Sequence, residues 1–206
     1  KLPRIQPHFN IAPAQAIAVV REQPDHNREL VYLHWGLIPN WANDPSIGTR
    51  LANARSETAA AKPSFRRAFR SQRCLIVADG FYEWRVVPGA KHKQPVYIRR
   101  TDGEQLAFAG LWEHWRDPEF PDAPELETCT IITTDANDTL QPVHDRMPVI
   151  LEPGSWDAWL EPAQTDTALL DALLAQSDRI DALLDEIAAV QNWHNEHEAL
   201  AATAYQ

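Results

Sequence analysis

Apolar runs separated by polar turn residues, the pattern of strands, dominate the chain up to about residue 151. Segments 16–21 and 30–35 form a first pair around a polar turn at 23–28. The apolar run 74–78 stops at Asp79-Gly80 and is followed by 81–87, which predicts two strands around a tight turn. Segments 95–100, 106–111, 128–134 and 149–151 read as further strands. Helical spacing is rarer here. It predicts short helices at 56–61 and at 64–70, the latter placing Phe65, Ala68 and Phe69 on one face. After Pro153 the period changes. Ser155 reads as the N-cap of a helix over 156–160. Segment 165–176 gathers Leu169, Leu170, Leu173 and Leu174 on one side, and 178–190 does the same with Ile180, Leu183, Leu184 and Ile187. The prediction is an α+β fold: a mostly antiparallel sheet body, short helices, and a helical C-terminal region.

The chain has 206 residues, 44% of them apolar and 23% charged, which fits one globular domain over 1–206 and excludes a collagen-like or disordered chain. No apolar run is long enough to span a bilayer, and no signal-peptide pattern opens the chain. Two cysteines, Cys74 and Cys129, cannot build a disulfide framework; both sit in apolar runs, so a reducing cytoplasm is expected. The first residue is Lys1, so the natural beginning is expected upstream. Gly is scarce (7) and Pro plentiful (16), which predicts stiff, irregular loops. No glycine-rich phosphate loop occurs, and no nucleotide cofactor is expected. The formal charge of −10 is unevenly spread. Residues 1–115 carry 16 Lys and Arg against 10 Asp and Glu; residues 116–206 carry 3 against 19. A basic amino-terminal face and a solvated acidic tail are both compatible with that split.

Metal binding is not expected: His194 and His197 are three apart, but nothing completes a four-ligand set. In the run Phe81-Tyr82-Glu83-Trp84, strand alternation places Glu83 with Phe81 and Arg85, away from Tyr82 and Trp84. A carboxylate among aromatics has a raised pKa and suits proton transfer; an ion pair with Arg85 is the alternative. Segment 140–148 holds His144, Asp145 and Arg146 between Pro142 and Pro148, a stiff loop suited to acid–base work or phosphate contact. Around Asn53 and Arg55 small residues leave room for a ligand, Asn53 offers donor and acceptor, and Arg55 can grip a phosphate; Asn53 or Ser56 as a plain helix cap is the alternative. Trp41, in a Pro/Asn-rich loop, can stack on a base, whereas Trp35 and Trp84, within strands, are expected in the core. The run 62–73, with Lys62, Arg66, Arg67, Arg70 and Arg73, is either a phosphate-following helix or an ordinary amphipathic one.

Taken in order, seven blocks resemble one family. They are Asn-Ile-Ala-Pro (10–13), Trp-Gly-Leu-Ile-Pro-x-Trp (35–41), Asn-Ala-Arg-x-Glu-Thr (53–58), the run 74–84 ending Gly-Phe-Tyr-Glu-Trp, Phe-Ala-Gly-Leu-Trp (108–112), Thr-Ile-Ile-Thr-Thr (130–134) and His-Asp-Arg-Met-Pro (144–148). The family is SRAP, the SOS response-associated peptidases or abasic-site processing proteins. The resemblance spans about residues 8–160 and implies a barrel-like β body. It implies a function as well: binding of single-stranded DNA that contains abasic sites, and a covalent thiazolidine crosslink through an amino-terminal cysteine. Glu83 would be the general acid/base, His144 would assist proton transfer and hold the sugar, and Asn53 would orient the terminal residue. Arg55 and Arg146 match DNA-phosphate positions, and Trp41 matches a position at kinked DNA. The resemblance also implies self-removal of the initiator Met, with a lyase reaction at the same site.

The chain departs from the family in lacking the Met-Cys-Gly-Arg start, which Cys74 and Cys129 cannot replace because neither has a free α-amine. Its tail keeps only a partial echo of the family pattern at 190–195. The expectation is a monomeric, cytoplasmic DNA-damage protein that needs no metal, cofactor or membrane. The rival readings are a non-catalytic single-strand binding module and a peptidase acting on other proteins.

Overall fold

A computed structural model of the protein describes residues 7–23, 25–175 and 184–188. The strands are β1 (Ala16–Glu22), β2 (Arg28–Trp35), β3 (Asn53–Arg55), β4 (Arg73–Ala78), β5 (Gly80–Arg85), β6 (Gln94–Arg100), β7 (Leu106–Trp115), β8 (Leu126–Asp135), β9 (Arg146–Pro148) and β10 (Leu184–Ala188). The helices are α1 (Ser56–Ala59), α2 (Arg66–Ser71), α3 (Pro153–Leu160) and α4 (Thr167–Leu174), with a 3₁₀ turn at Pro45–Arg50. The class is α+β, and the chain divides into two compact units. The first comprises Lys1–Val77, Ala107–Thr134 and Pro148–Asp178; the second comprises Ala78–Leu106, Asp135–Met147 and Arg179–Gln206.

The first unit is a barrel. Its strands run in the order β2-β1-β4-β7-β8, and a parallel pairing of β2 with β8 closes the ring at His34↔Thr128 and Trp35↔Cys129. The β1–β2, β1–β4 and β7–β8 pairs are antiparallel, so the barrel is mixed only at its closure and at β3, which adds in parallel to β8. Closure satisfies backbone groups that an open sheet would expose. The helices cover a core built on Phe65, Phe69, Leu111, Ile132, Trp159, Leu170 and Leu174. Burying each such side chain stabilises by about 1.5–3 kcal/mol. Phe69 meets Trp159 edge to face at 6.1 Å, and Trp159 Nε1 donates to the Cys74 carbonyl at 3.0 Å. Arg73 is buried and donates to the carbonyls of Phe69, Arg70, Trp159, Glu161 and Gln164, fastening the end of α2 to the end of α3. Burial lowers its guanidinium to about 10, so it remains cationic at neutral pH.

The second unit carries a three-stranded antiparallel sheet, β10-β6-β5. Its 135–147 segment is an organised loop. Ala136 N–H donates to the Asp145 carbonyl, and the Asn137 carbonyl and side-chain oxygens accept from Leu140 N–H. Val143 and His144 close onto the Leu140 carbonyl, and Asn137 N–H reaches Met147 Sδ at 3.4 Å.

Several sequence expectations are corrected. Segments 74–78 and 81–87 are not a hairpin: β4 belongs to the barrel and β5 to the other sheet. Asp79 alone separates them, too short a link for two paired strands. Gly80 then fits against β6 where a Cβ would lie 2.5 Å from the Ile98 carbonyl oxygen. The helix expected over 178–190 is replaced at 184–188 by β10, which lies antiparallel to β6; the unpaired edge of β6 outweighs local helical spacing. The rest of that segment, with His194, His197 and the tail echo at 190–195, lies outside the described residues. Ser155 is the third residue of α3, not its cap; Glu152 takes that position and Pro153 starts the helix. Asp166 caps α4 with its side chain, and Leu169 is exposed while Leu170, Leu173 and Leu174 are buried. Segment 149–151 makes only the bridge Phe108↔Ile150.

Candidate active site

Glu83 sits in the middle of β5 opposite Val96, half-buried. Alternation holds as expected: on the other face Tyr82 lies against its cross-strand partner Tyr97, ring centroids 5.1 Å apart. Among the described residues Glu83 forms no ion pair, so the Arg85 alternative is not realised. Burial pushes its carboxyl above the usual range, against the opposing pull of His144, the Trp84 N–H and Lys93, while Asp145 adds to the rise. Glu83 and His144 are therefore electrostatic neighbours within one unit. His144 comes from the braced loop, its side chain 40% exposed. Its Nδ1 lies 3.0 Å from Arg146 N and 3.1 Å from Arg146 O, with Asp145 Oδ1 at 3.3 Å. The neutral ring can accept from that N–H; the cationic ring can donate to that carbonyl. The imidazole keeps a partner in either protonation state, which suits a group that gives and takes a proton. Arg146 is not free for a ligand in the same sense: its guanidinium reaches Asp135 Oδ1 at 2.5 Å.

The other sequence-predicted residues lie in the barrel unit. Asn53 and Arg55 flank the fully buried Ala54 on β3, so both point outward on one face. Neither side chain has a hydrogen bond or ion pair among the described residues. Arg55 occupies the cap position of α1 but supplies no side-chain cap, and neither Asn53 nor Ser56 caps that helix. The segment before β3 is held by Trp35, whose Nε1 donates to the Ala52 carbonyl at 2.8 Å. Gly36 follows with φ +135°, where a Cβ would lie 2.8 Å from the Gly48 oxygen, so the loop leaving β2 needs glycine there. That loop is pinned by Ile38 N–H to Thr128 Oγ1 and by Trp115 Nε1 to the Ala42 carbonyl. It presents Trp41, 56% exposed, from a fixed base. Trp84 was expected in the core and is instead 51% exposed.

Sequence reasoning missed Lys93 and Asp145 as charges acting on Glu83, and Asp135 as the partner of Arg146. Only folding brings these residues together. Cys74 and Cys129 are fully buried, and burial pushes both thiols up, Cys129 to about 12. Neither is a nucleophile at neutral pH. One group of possible metal ligands occurs among the described residues: Glu22, His26 and Glu161. Arg28 Nε and His26 Nδ1 already contact Glu22 there, at 3.2 and 3.1 Å.

Comparison with known proteins places this geometry in context. The profile of the SOS response associated peptidase (SRAP) family matches residues 1–192. The chain is 44% identical over 186 residues to abasic site processing protein YoqW of Bacillus subtilis, covering 90% of this chain and 81% of that protein. It is 33% identical over 152 residues to abasic site processing protein YedK of Escherichia coli, covering 74% and 64%. Among solved structures, a protein from Bacteroides thetaiotaomicron superposes with a TM-score of 0.72 at 28% identity, over 85% of this chain and 74% of that one.

Proposed function

The chain belongs to the SOS response associated peptidase (SRAP) family, and from that premise we propose that it captures abasic sites in single-stranded DNA as a covalent adduct. The electrophile is the aldehyde of the ring-opened sugar. The nucleophile is the aminothiol of a cysteine upstream of Lys1. Its amine adds to the aldehyde to give a carbinolamine. Protonated Glu83 gives its proton to the carbinolamine hydroxyl, which leaves as water and yields an iminium ion. The thiol sulfur then closes on the iminium carbon, its proton passing to His144. The net change is aldehyde plus aminothiol to thiazolidine plus water, and proton return from His144 to Glu83 resets the pair. A 1,2-aminothiol closes this ring because its second group is already at high effective concentration.

The observation that carries the reading is the half-buried Glu83 carboxyl, raised by burial, beside a His144 that has a partner in both protonation states. The family's description supports a second use of the pair, hydrolytic removal of a residue ahead of the cysteine. Asn53 orients the terminal residue in this reading, while Arg55 and Arg146 take phosphates and Trp41 a base. Incubation of the full-length product with abasic single-stranded DNA is expected to give an adduct stable to denaturing gels, with none on intact DNA. Replacing the leading cysteine by alanine should abolish it. An undiminished adduct would refute the aminothiol.

A further inference from the structure

The basic run at 62–73 separates into two sets. Arg67 pairs with the buried Glu113 and reaches Gln72 Oε1 at 2.8 Å; Arg73 is spent on five carbonyls. These two are structural. Lys62, Arg66 and Arg70 are all exposed. They are spaced by four residues, and the Arg66 N–H to Lys62 carbonyl bond of 2.9 Å carries the helical turn back to Lys62. Arg66 and Arg70 therefore lie one turn apart on α2, Lys62 sits in the turn that leads into it, and Phe65, Ala68 and Phe69 are buried beneath them. Among the described residues neither Arg66 nor Arg70 has an acidic partner, and the Lys62 ammonium rests over the Phe65 ring at 5.6 Å. In a chain of net charge −10, most of whose described arginines are paired or buried, this row stands uncompensated.

We propose that Lys62, Arg66 and Arg70 form a track for the phosphodiester backbone of single-stranded DNA, in addition to Arg55 and Arg146. The proposal rests on the DNA partner named above and deepens it. Four residues of helix advance about 6 Å, a step of the size that separates neighbouring phosphates along one strand. The row can thus meet successive phosphates. The row holds no exposed aromatic side chain, so it contacts backbone rather than bases and is indifferent to sequence. The alternative occupant is an acidic protein segment, which has no fixed charge repeat and no support from the family's chemistry.

The test uses the full chain and a fluorescent thymidine oligonucleotide without lesions, with binding followed by anisotropy across a salt series. Arg66→Gln with Arg70→Gln is expected to flatten the slope of log K against log salt by about 1.4, at about 0.7 per phosphate contact. Arg66→Lys with Arg70→Lys is expected to keep the slope. An unchanged slope in the glutamine variant overturns the track. So does a variant that keeps its DNA slope but loses affinity for a labelled poly-glutamate peptide, since the surface then serves a protein. Adduct yield on a short abasic oligonucleotide at saturating concentration separates this from the proposed chemistry. If wild type itself forms no adduct, the capture chemistry fails while the slope still decides the track.

Discussion

The two units differ in where their charges stand. The barrel unit buries a large apolar core and, beside paired arginines such as Arg67, turns outward side chains that have no side-chain partner among the described residues: Asn53 and Arg55 flank a fully buried Ala54, and Arg66 and Arg70 flank Ala68 and Phe69. The smaller unit keeps its polar groups close to one another. Glu83 feels His144, Lys93 and Asp145; His144 is held by Arg146; Arg146 is held by Asp135. Unpartnered, solvated cations suit reversible contact with a polyanion, where displaced counterions supply the driving force. A crowded, partly desolvated cluster suits proton transfer, where the neighbours set the pKa. The division suggests that affinity comes mainly from the barrel and chemistry from the smaller sheet.

The sharpest break falls on Glu83. Glu83→Gln should slow adduct formation by about 10²–10⁴-fold, the usual worth of a positioned acid or base, while noncovalent DNA binding is retained. A variant with wild-type kinetics would return Glu83 to a structural role. The same substitution should stabilise the fold modestly at neutral pH. Burial raises the folded carboxyl above its unfolded value, so the folded state holds more protons and stability falls as pH rises from the ordinary carboxylate range through the raised value. Melting curves of wild type and variant should converge below that window and separate above it. Next comes the barrel core. Phe69 is 1% exposed and stacks edge to face on Trp159, so Phe69→Ala should cost about 3–5 kcal/mol of stability. In whatever fraction remains folded, the pH profile of capture should keep the wild-type shape. A shifted profile would mean that the barrel core also sets the proton chemistry, and the division of labour fails.

How much of this was visible beforehand follows the range of the interactions. Strands carried by short apolar runs between turn residues were legible, and so was the Glu83 face, because both depend on neighbours in the chain. The 53–55 segment was legible as a candidate site but not as a strand; three residues carry too little pattern, and only the parallel partner β8 defines them. Segment 184–188 reads as helix from the apolar spacing of 178–190 and becomes strand because β6 offers an edge. The single basic run at 62–73 looked uniform in sequence. Its split into structural Arg67 and Arg73 and outward Arg66 and Arg70 depends on Glu113 and on carbonyls nearly ninety residues away, which no local reading contains.

The smallest effect concerns the two arginines that the family pattern treats alike. Arg55 has no side-chain partner among the described residues and Arg146 is tied to Asp135, an aspartate whose side chain is 87% exposed. The aspartate end of the pair is solvated while the Arg146 side chain is 19% exposed, so in the proposed reading a DNA phosphate would have to compete with Asp135 for Arg146. Arg55→Ala should flatten the salt slope of single-strand binding by about 0.7. Arg146→Ala should flatten it by less, because part of the guanidinium charge is already answered. Asp135→Asn should then steepen the slope slightly and change the melting temperature little. If Asp135→Asn leaves DNA binding untouched and Arg146→Ala matches Arg55→Ala, the Asp135 pair does not survive in solution, and Arg146 acts in DNA binding as Arg55 does.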